Sequence, residues 1–341
     1  MNLQGTATGR LAVGAAIFAI VLSACTSSGT PAASSSAAAA TPEASAPAAS
    51  SAATAVPCGT VNIAQQAWAG YYADVAVVSY VLTHELGCTV VVKDIVEQIA
   101  WQGFPTGEVD AILENWGHED LAKKYITEDK TAVDLGSQGN VGIIGWYVPK
   151  FFADAHPDIL TADKDPKVLN KYADLFKTSE SGDKGQLLDG DPSYVTNDEA
   201  LVANLGLNFK VIYSGSEAAS DKAIQTAIDQ QKPILAYYWD PNWFSAKVDM
   251  VQVKLPPYTP GCDADPKKVA CDYPPYALNK VVSASFAQSG SPAFTVIKNF
   301  TWTNQDQNTV AYDIAENKLS YDDAAKKWLD AHPDAWKAWL P

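Results

Sequence analysis

Eleven residues, Ile234 to Phe244 (ILAYYWDPNWF), carry five aromatic side chains in their last eight positions: Tyr237, Tyr238, Trp239, Trp243 and Phe244. Asp240, Pro241 and Asn242 form a turn signal among them. A second stretch, DAILENW, closes on Trp116. Reactive groups are sparse by comparison. The four histidines are His84, His118, His156 and His332, and neither HELGC nor HEDLA carries the second histidine of a zinc helix. There is no Gly-x-Ser-x-Gly elbow and no phosphate-binding loop. Carboxylates are plentiful, but no pair is singled out by its surroundings. What remains is the chemistry of ring faces at strand ends, which holds molecules rather than transforming them. The chain reads as a binder and not an enzyme, with no cofactor and no metal.

Such rings need elements to place them. Strand-like TVNIAQ is followed by Tyr72 to Leu86, where Val75, Val78, Leu82 and Leu86 fall at helical spacing. CTVVVKDIV, DAILEN, NVGIIGWYVP and FKVIYSG read as further strands. A helix over Ala219 to Gln230 leads into PILAYYW. This alternation predicts an α/β fold with mainly parallel sheets. In open α/β sheets the ligand crevice lies beyond the carboxyl ends of the strands. Trp116 and Trp239 end strands and would project there, and Trp68 in QQAWAGYY stands at another edge, as wall or lid. Ser320 and Asp323 make a capping pattern for a helical tail, whose Trp328, Trp336 and Trp339 are expected to pack onto the body.

The first part of the 341-residue chain is of another kind. Arg10 precedes the apolar run LAVGAAIFAIVL, which ends in LSAC at Leu22 to Cys25. A short apolar core before small residues predicts a secretory signal over residues 1–24, too short for a permanent span. LSAC resembles a bacterial lipobox, with Cys25 as the lipidated residue. Residues 25–57 are almost wholly Ala, Ser, Thr and Pro with one charge, Glu43, and predict a disordered tether. The folded body is therefore expected outside the cytoplasm, anchored to the cell membrane through that lipid. Cys58 and Cys88 each precede a β-rich run, so neighbouring parallel strands would place them side by side for a disulfide. Cys262 and Cys271 bracket a polar loop and could close it; a metal site is the rival reading, without clustered histidines to support it. A net charge of −15 argues against nucleic acid and is mildly consistent with a cationic ligand.

On GEVDAILENW, GWYVPKFF, PILAYYWDPNWF, the lipobox with its tether and the Trp-bearing tail, the chain resembles the glycine betaine/proline betaine substrate-binding proteins of ATP-binding cassette importers. That resemblance covers nearly the whole body. It implies a two-lobe periplasmic-binding-protein fold of type II, with lobes joined by two crossing strands and the ligand in the interlobe cleft. Lobe I would comprise 58–140 plus 251–341, and lobe II 141–250. The implied ligand is a quaternary amine (glycine betaine, proline betaine, choline or carnitine), and the implied partners are permease subunits in the membrane. Trp116 and Trp239 match two rings of the family's aromatic box, and Tyr194 stands where the related motif has Trp. Backbone N–H groups of Val195 and Thr196 would receive a ligand carboxylate at a helix start. His118 resembles the family's carboxylate-contacting histidine, offset by two residues, and a solvated loop histidine is the alternative. Asp240, where betaine binders carry Thr, either caps the turn or adds negative charge that favours choline. A trimethylammonium group has no hydrogen-bond donor, so ring faces are what can grip it. A surface lipoprotein that binds another small molecule or a protein partner is the alternative reading of the whole.

Overall fold

A computed structural model describes residues 57–194 and 196–341. The signal, Cys25 and the tether up to residue 56 lie outside the described residues, as does Val195. Nine strands occur among the described residues: β1 (Thr60–Gln65), β2 (Thr89–Asp94), β3 (Ala111–Asn115), β4 (Ala132–Pro149), β5 (Gly185–Asp189), β6 (Phe209–Tyr213), β7 (Ala236–Asp240), β8 (Met250–Val253) and β9 (Tyr276–Ser283). Their order is β2-β1-β3-β9-β4-β7-β5-β6, with β8 on β4.

The flanks of this sheet are parallel, β1 with β2 and β3, β5 with β6 and β7. Each is a strand–helix–strand unit of the kind the alternation predicts. The centre is antiparallel, which the sequence reading did not foresee. There β9 pairs with β3 and β4, and β4 with β7 and β8. The reason is that β4 carries the chain from one lobe to the other. Its first half, to Gly142, pairs with β9, and its second half, from Ile143, pairs with β7 and β8.

The expected lobe boundary after residue 250 is displaced. Strand β8 pairs with the second half of β4, and Val253, Leu255, Val269, Cys271 and Tyr273 share a core with Trp146, Leu187 and Trp239. The chain rejoins the first lobe only at β9. The apolar content of this return segment is too scattered to reveal which core it serves.

In the first lobe, helix α1 (Ala69–Tyr80) is buried on nearly every side, as a helix of Ala, Gly and Val with few charges must be. It packs against β3 and the helices Asn304–Ala315 and Tyr321–Ala331. Trp68 immediately precedes it in extended conformation (φ −143°, ψ 154°), so the strand-to-helix turn occurs at this ring. Both expected disulfides are present. Cys58–Cys88 joins the starts of β1 and β2, where Thr60 sits opposite Thr89, with Cα atoms 5.0 Å apart. Cys262–Cys271 closes the polar loop, with Cα atoms 6.4 Å apart. In the tail Trp328 and Trp339 stack at 5.9 Å and are buried, while Trp336 is only partly covered. The Ser320 hydroxyl accepts the Asp323 N–H, one arm of the expected capping box, and donates to the Asp323 carboxylate. No helix among the described residues is long and apolar enough to cross a membrane.

Candidate functional site

The strand ends converge on one cavity of about 620 Å3, its open mouth included. From the first lobe come Gln66 and Trp68 after β1, Trp116 and His118 after β3, and Glu97 from helix α2 (Glu97–Gly103). From the second come Ser193 and Tyr194 after β5, and Tyr237 and Trp239 on β7. Ile144 on β4 and Tyr276 at the start of β9 complete the lining.

The period of a strand explains the opening stretch. Residues two apart share a face, so Tyr237 and Trp239 point into the cavity together, while Tyr238 between them joins the core on the other side. Ile144 sits directly across from Trp239 in the β4–β7 ladder and shares that face. Trp243 and Phe244 do not reach the cavity. They are buried beneath the turn, and Trp243 meets Tyr312 of the helix Asn304–Ala315 edge to face at 5.9 Å. The Asn242 side chain caps this turn through the Phe244 N–H at 2.9 Å.

Tyr194 is the hub of the rings. It meets Trp68 edge to face at 5.7 Å and Trp239 edge to face at 5.7 Å. Its hydroxyl donates to the Ala67 carbonyl at 3.0 Å, tying the second lobe to the first. Burial pushes its phenol far above the ordinary range, so it stays neutral. Trp116 stands opposite, 6.0 Å from Tyr276. Its ring lies on the backbone of Gly142, where an added Cβ would come within 2.5 Å of Cζ3. Glycine is required there by the ring. The indole N–H groups of Trp68 and Trp116 both donate to Glu114 Oε1, at 3.0 and 2.5 Å.

The polar part of the lining is small. Gln66 is only 5% exposed, and its Nε2 has no hydrogen-bond partner among the described residues. A buried donor of this kind, in a cavity wall, suits an oxygen of a bound molecule. His118 Nε2 lies 2.9 Å from Glu97 Oε2. Burial, the largest single influence, pulls its pKa down, but the charge and hydrogen bond of Glu97 with the charge of Asp120 together make the net shift upward. The histidine is thus a largely buried residue paired with Glu97 rather than a solvated loop residue. No Lys or Arg is among the described residues of the lining. Nor is any group of three or more His, Cys, Asp or Glu placed to hold a metal ion among the described residues.

Two expected site residues are elsewhere, and a third is not among the described residues. The Asp240 carboxylate accepts from Asn304 Nδ2 at 2.6 Å, clamping the end of β7 to the helix Asn304–Ala315 instead of facing the cavity or capping the turn. Thr196 donates its hydroxyl to Asp189 at 2.8 Å and does not line the cavity. Asp198, the first residue of the helix beyond it, points into the core and accepts from Trp146 Nε1 at 2.8 Å and from the Tyr273 hydroxyl at 2.7 Å. Val195 lies outside the described residues. Of the residues the sequence reading passed over, Tyr237 and Gln66 each stand two positions before a predicted ring, and strand period would have found Tyr237. Glu97, Ile144, Ser193 and Tyr276 have no local signal, because they reach the site only through the fold.

Comparison with known proteins bears on the family and the fold. The family described as the substrate-binding domain of ABC-type glycine betaine transport systems matches residues 59–331. The trimethylamine N-oxide-binding protein of Pelagibacter ubique (strain HTCC1062) is 26% identical over 250 residues, 70% of this chain and 77% of that protein. Lactococcal OpuAC, in its closed-liganded conformation with glycine betaine, superposes with a TM-score of 0.63 at 22% identity, over 83% of this chain and 100% of the other. A choline-binding protein of an ABC transporter, in complex with choline, superposes with a TM-score of 0.66 at 18% identity, over 83% and 91%. At these identities the two structures speak for the two-lobe fold.

Proposed function

The chain belongs to the family of substrate-binding domains of ABC-type glycine betaine transport systems, and from that premise we propose that its cavity captures a quaternary amine and presents it to the permease of an importer. The observation that carries this reading is the ring set, Trp68, Trp116, Tyr194 and Trp239, converging on one cavity from both lobes. A trimethylammonium group offers no hydrogen bond, and each ring face attracts it by about 0.5 to 2 kcal/mol. Four rings then supply about 2 to 8 kcal/mol, against the roughly 8 kcal/mol of a micromolar site. Gln66 Nε2 and the Ser193 hydroxyl are the groups suited to the ligand's oxygen, be it hydroxyl, carboxylate or N-oxide. The His118–Glu97 pair orients the neighbouring wall, and no Lys or Arg is among the described residues of the lining to meet a carboxylate. This favours ligands whose oxygen needs one good donor over those that need a salt bridge.

The same reading places the body outside the cytoplasm, held by a diacylglycerol on Cys25 and the tether that follows it. The support is the LSAC sequence directly after an apolar core. Mass spectrometry of the mature N-terminus should find a lipidated Cys25, and an unmodified one would remove the anchor from the account. For the ligand, a thermal-shift screen compares choline, glycine betaine, proline betaine, carnitine and trimethylamine N-oxide with ordinary amino acids. A ligand at 100 times its Kd stabilises by about 2.7 kcal/mol, well within reach of such a screen. A shift with amino acids and none with quaternary amines would overturn the assignment.

A further inference from the structure

Behind the two indoles of the first lobe lies a carboxylate. Glu114, on β3, has no exposed surface. Its Oε1 accepts the indole N–H of Trp68 at 3.0 Å and that of Trp116 at 2.5 Å. Its Oε2 accepts the side-chain amide of Gln138 at 3.3 Å and that of Gln307. Two N–H donors on each oxygen is the environment of an ionised carboxylate, which accepts only. Asp74, also fully buried on α1, shares the same two glutamines, with Nε2 of Gln307 at 3.2 Å. Burial first, and then the charge of Glu114, hold the Asp74 carboxyl well above its usual range. The four N–H donors on Glu114 suit a negative charge on the residue that touches both rings. No Lys, Arg or His is among the hydrogen-bond partners of Glu114 in the described residues.

Two consequences follow for anything on the far side of those rings. One shared oxygen fixes both indole planes, so their faces are set before a ligand arrives. The charge also lies in a water-excluded region, where its field is weakly screened, and an indole that donates to a carboxylate is polarised toward a more negative face. We propose that Glu114 is a positioning and charge-supplying residue of the binding site, acting through the N–H groups of Trp68 and Trp116 to make the cavity prefer a cation to a neutral molecule of the same shape. This rests on the reading that the cavity takes a quaternary ammonium group. A purely structural Glu114 would hold the rings equally well for both kinds of ligand.

The test is Glu114→Gln in the full chain, titrated with choline and with 3,3-dimethylbutan-1-ol, which replaces the ammonium nitrogen by carbon. The variant keeps the size of the side chain and one acceptor oxygen while removing the charge. Choline affinity should fall about tenfold, equivalent to about 1.4 kcal/mol, while affinity for the neutral alcohol changes by less than about twofold. Equal losses for the two ligands, or no loss for either, would overturn the proposal. Should Glu114→Gln fail to fold, the unaltered protein is titrated with the same two ligands. There the two affinities should differ by about tenfold or more in favour of choline, and equal affinities would overturn the proposal. If the unaltered protein binds no quaternary amine at all, the reading of the cavity has failed, whatever Glu114 does.

Discussion

Gly142→Ala tests whether the ring of Trp116 is a wall of the site. An added Cβ would lie 2.5 Å from Cζ3 and 2.9 Å from Cε3 of Trp116, and 2.9 Å from Cδ2 of Leu278. Carbon atoms rest at about 3.5 to 4.0 Å, so something must yield by about 1 Å. Leu278 has no exposed surface and lies within the β9 ladder, so it cannot retreat. The indole borders the cavity and has space to move there. Its displacement strains the 2.5 Å hydrogen bond to Glu114 and tilts the face away from the ligand. Overpacking of this size costs about 1 to 3 kcal/mol of stability. Losing most of one ring's attraction costs about 0.5 to 2 kcal/mol of binding, a weakening of roughly 2- to 30-fold. Urea melts and calorimetric titration with the best ligand of the screen measure the two separately. A destabilised protein that binds within twofold of the original would refute the reasoning, because the ring would then have moved without consequence for the ligand.

Other outcomes are equally specific. Tyr194→Phe keeps the ring but removes its hydrogen bond to Ala67, so affinity should fall by about 1 kcal/mol, seen in stopped-flow as faster release; an unchanged release rate would contradict a closing role for that hydroxyl. Trp243→Ala should cost about 3 to 5 kcal/mol in chemical denaturation, while affinity in the folded fraction stays within twofold, since this ring is buried away from the cavity. Glu217 accepts the Ala69 N–H at 2.7 Å, and burial with the neighbouring Asp221 raises its pKa from 4.5 to about 8. The folded state thus binds the proton more tightly than the unfolded one. Its contribution is complete below about pH 4.5 and is lost as pH rises toward 8. Melting temperature should fall between pH 5 and 8, and Glu217→Gln should flatten that fall; a variant with the original slope would contradict the assignment.

Much of this fold was legible because local signals agreed with it. TVNIAQ is β1 to the residue, and FKVIY within the expected strand is β6. The helix expected over 219–230 runs Glu217–Asp229. GQLLD, which is β5, and YALNKVVS, which is β9, were not singled out. The former is only five residues long, and the latter is interrupted by Asn279 and Lys280, whose polar groups are satisfied only in three dimensions. Lys280 donates to the Lys298 carbonyl at 2.8 Å. At the site, rings at strand ends could be read from sequence, since residue type and strand end coincide in DAILENW and YYWDPNW. The carboxylates could not. Glu97 and Glu114 act through pairing with His118 and with two indoles, and Asp240 turns away from the cavity because Asn304, 64 residues later, reaches it first.

The central claim is that rings from both lobes close on one quaternary ammonium group. Calorimetric titration of the unaltered protein, Trp116→Ala and Trp239→Ala with choline, glycine betaine and trimethylamine N-oxide tests it most directly. The account predicts saturation at one ligand per chain for at least one of these compounds. It also predicts a loss of about 1 to 3 kcal/mol, roughly 5- to 150-fold, in each variant that remains folded by circular dichroism. Unchanged affinity in both folded variants, or no binding of any of the three compounds to the unaltered protein, would contradict it.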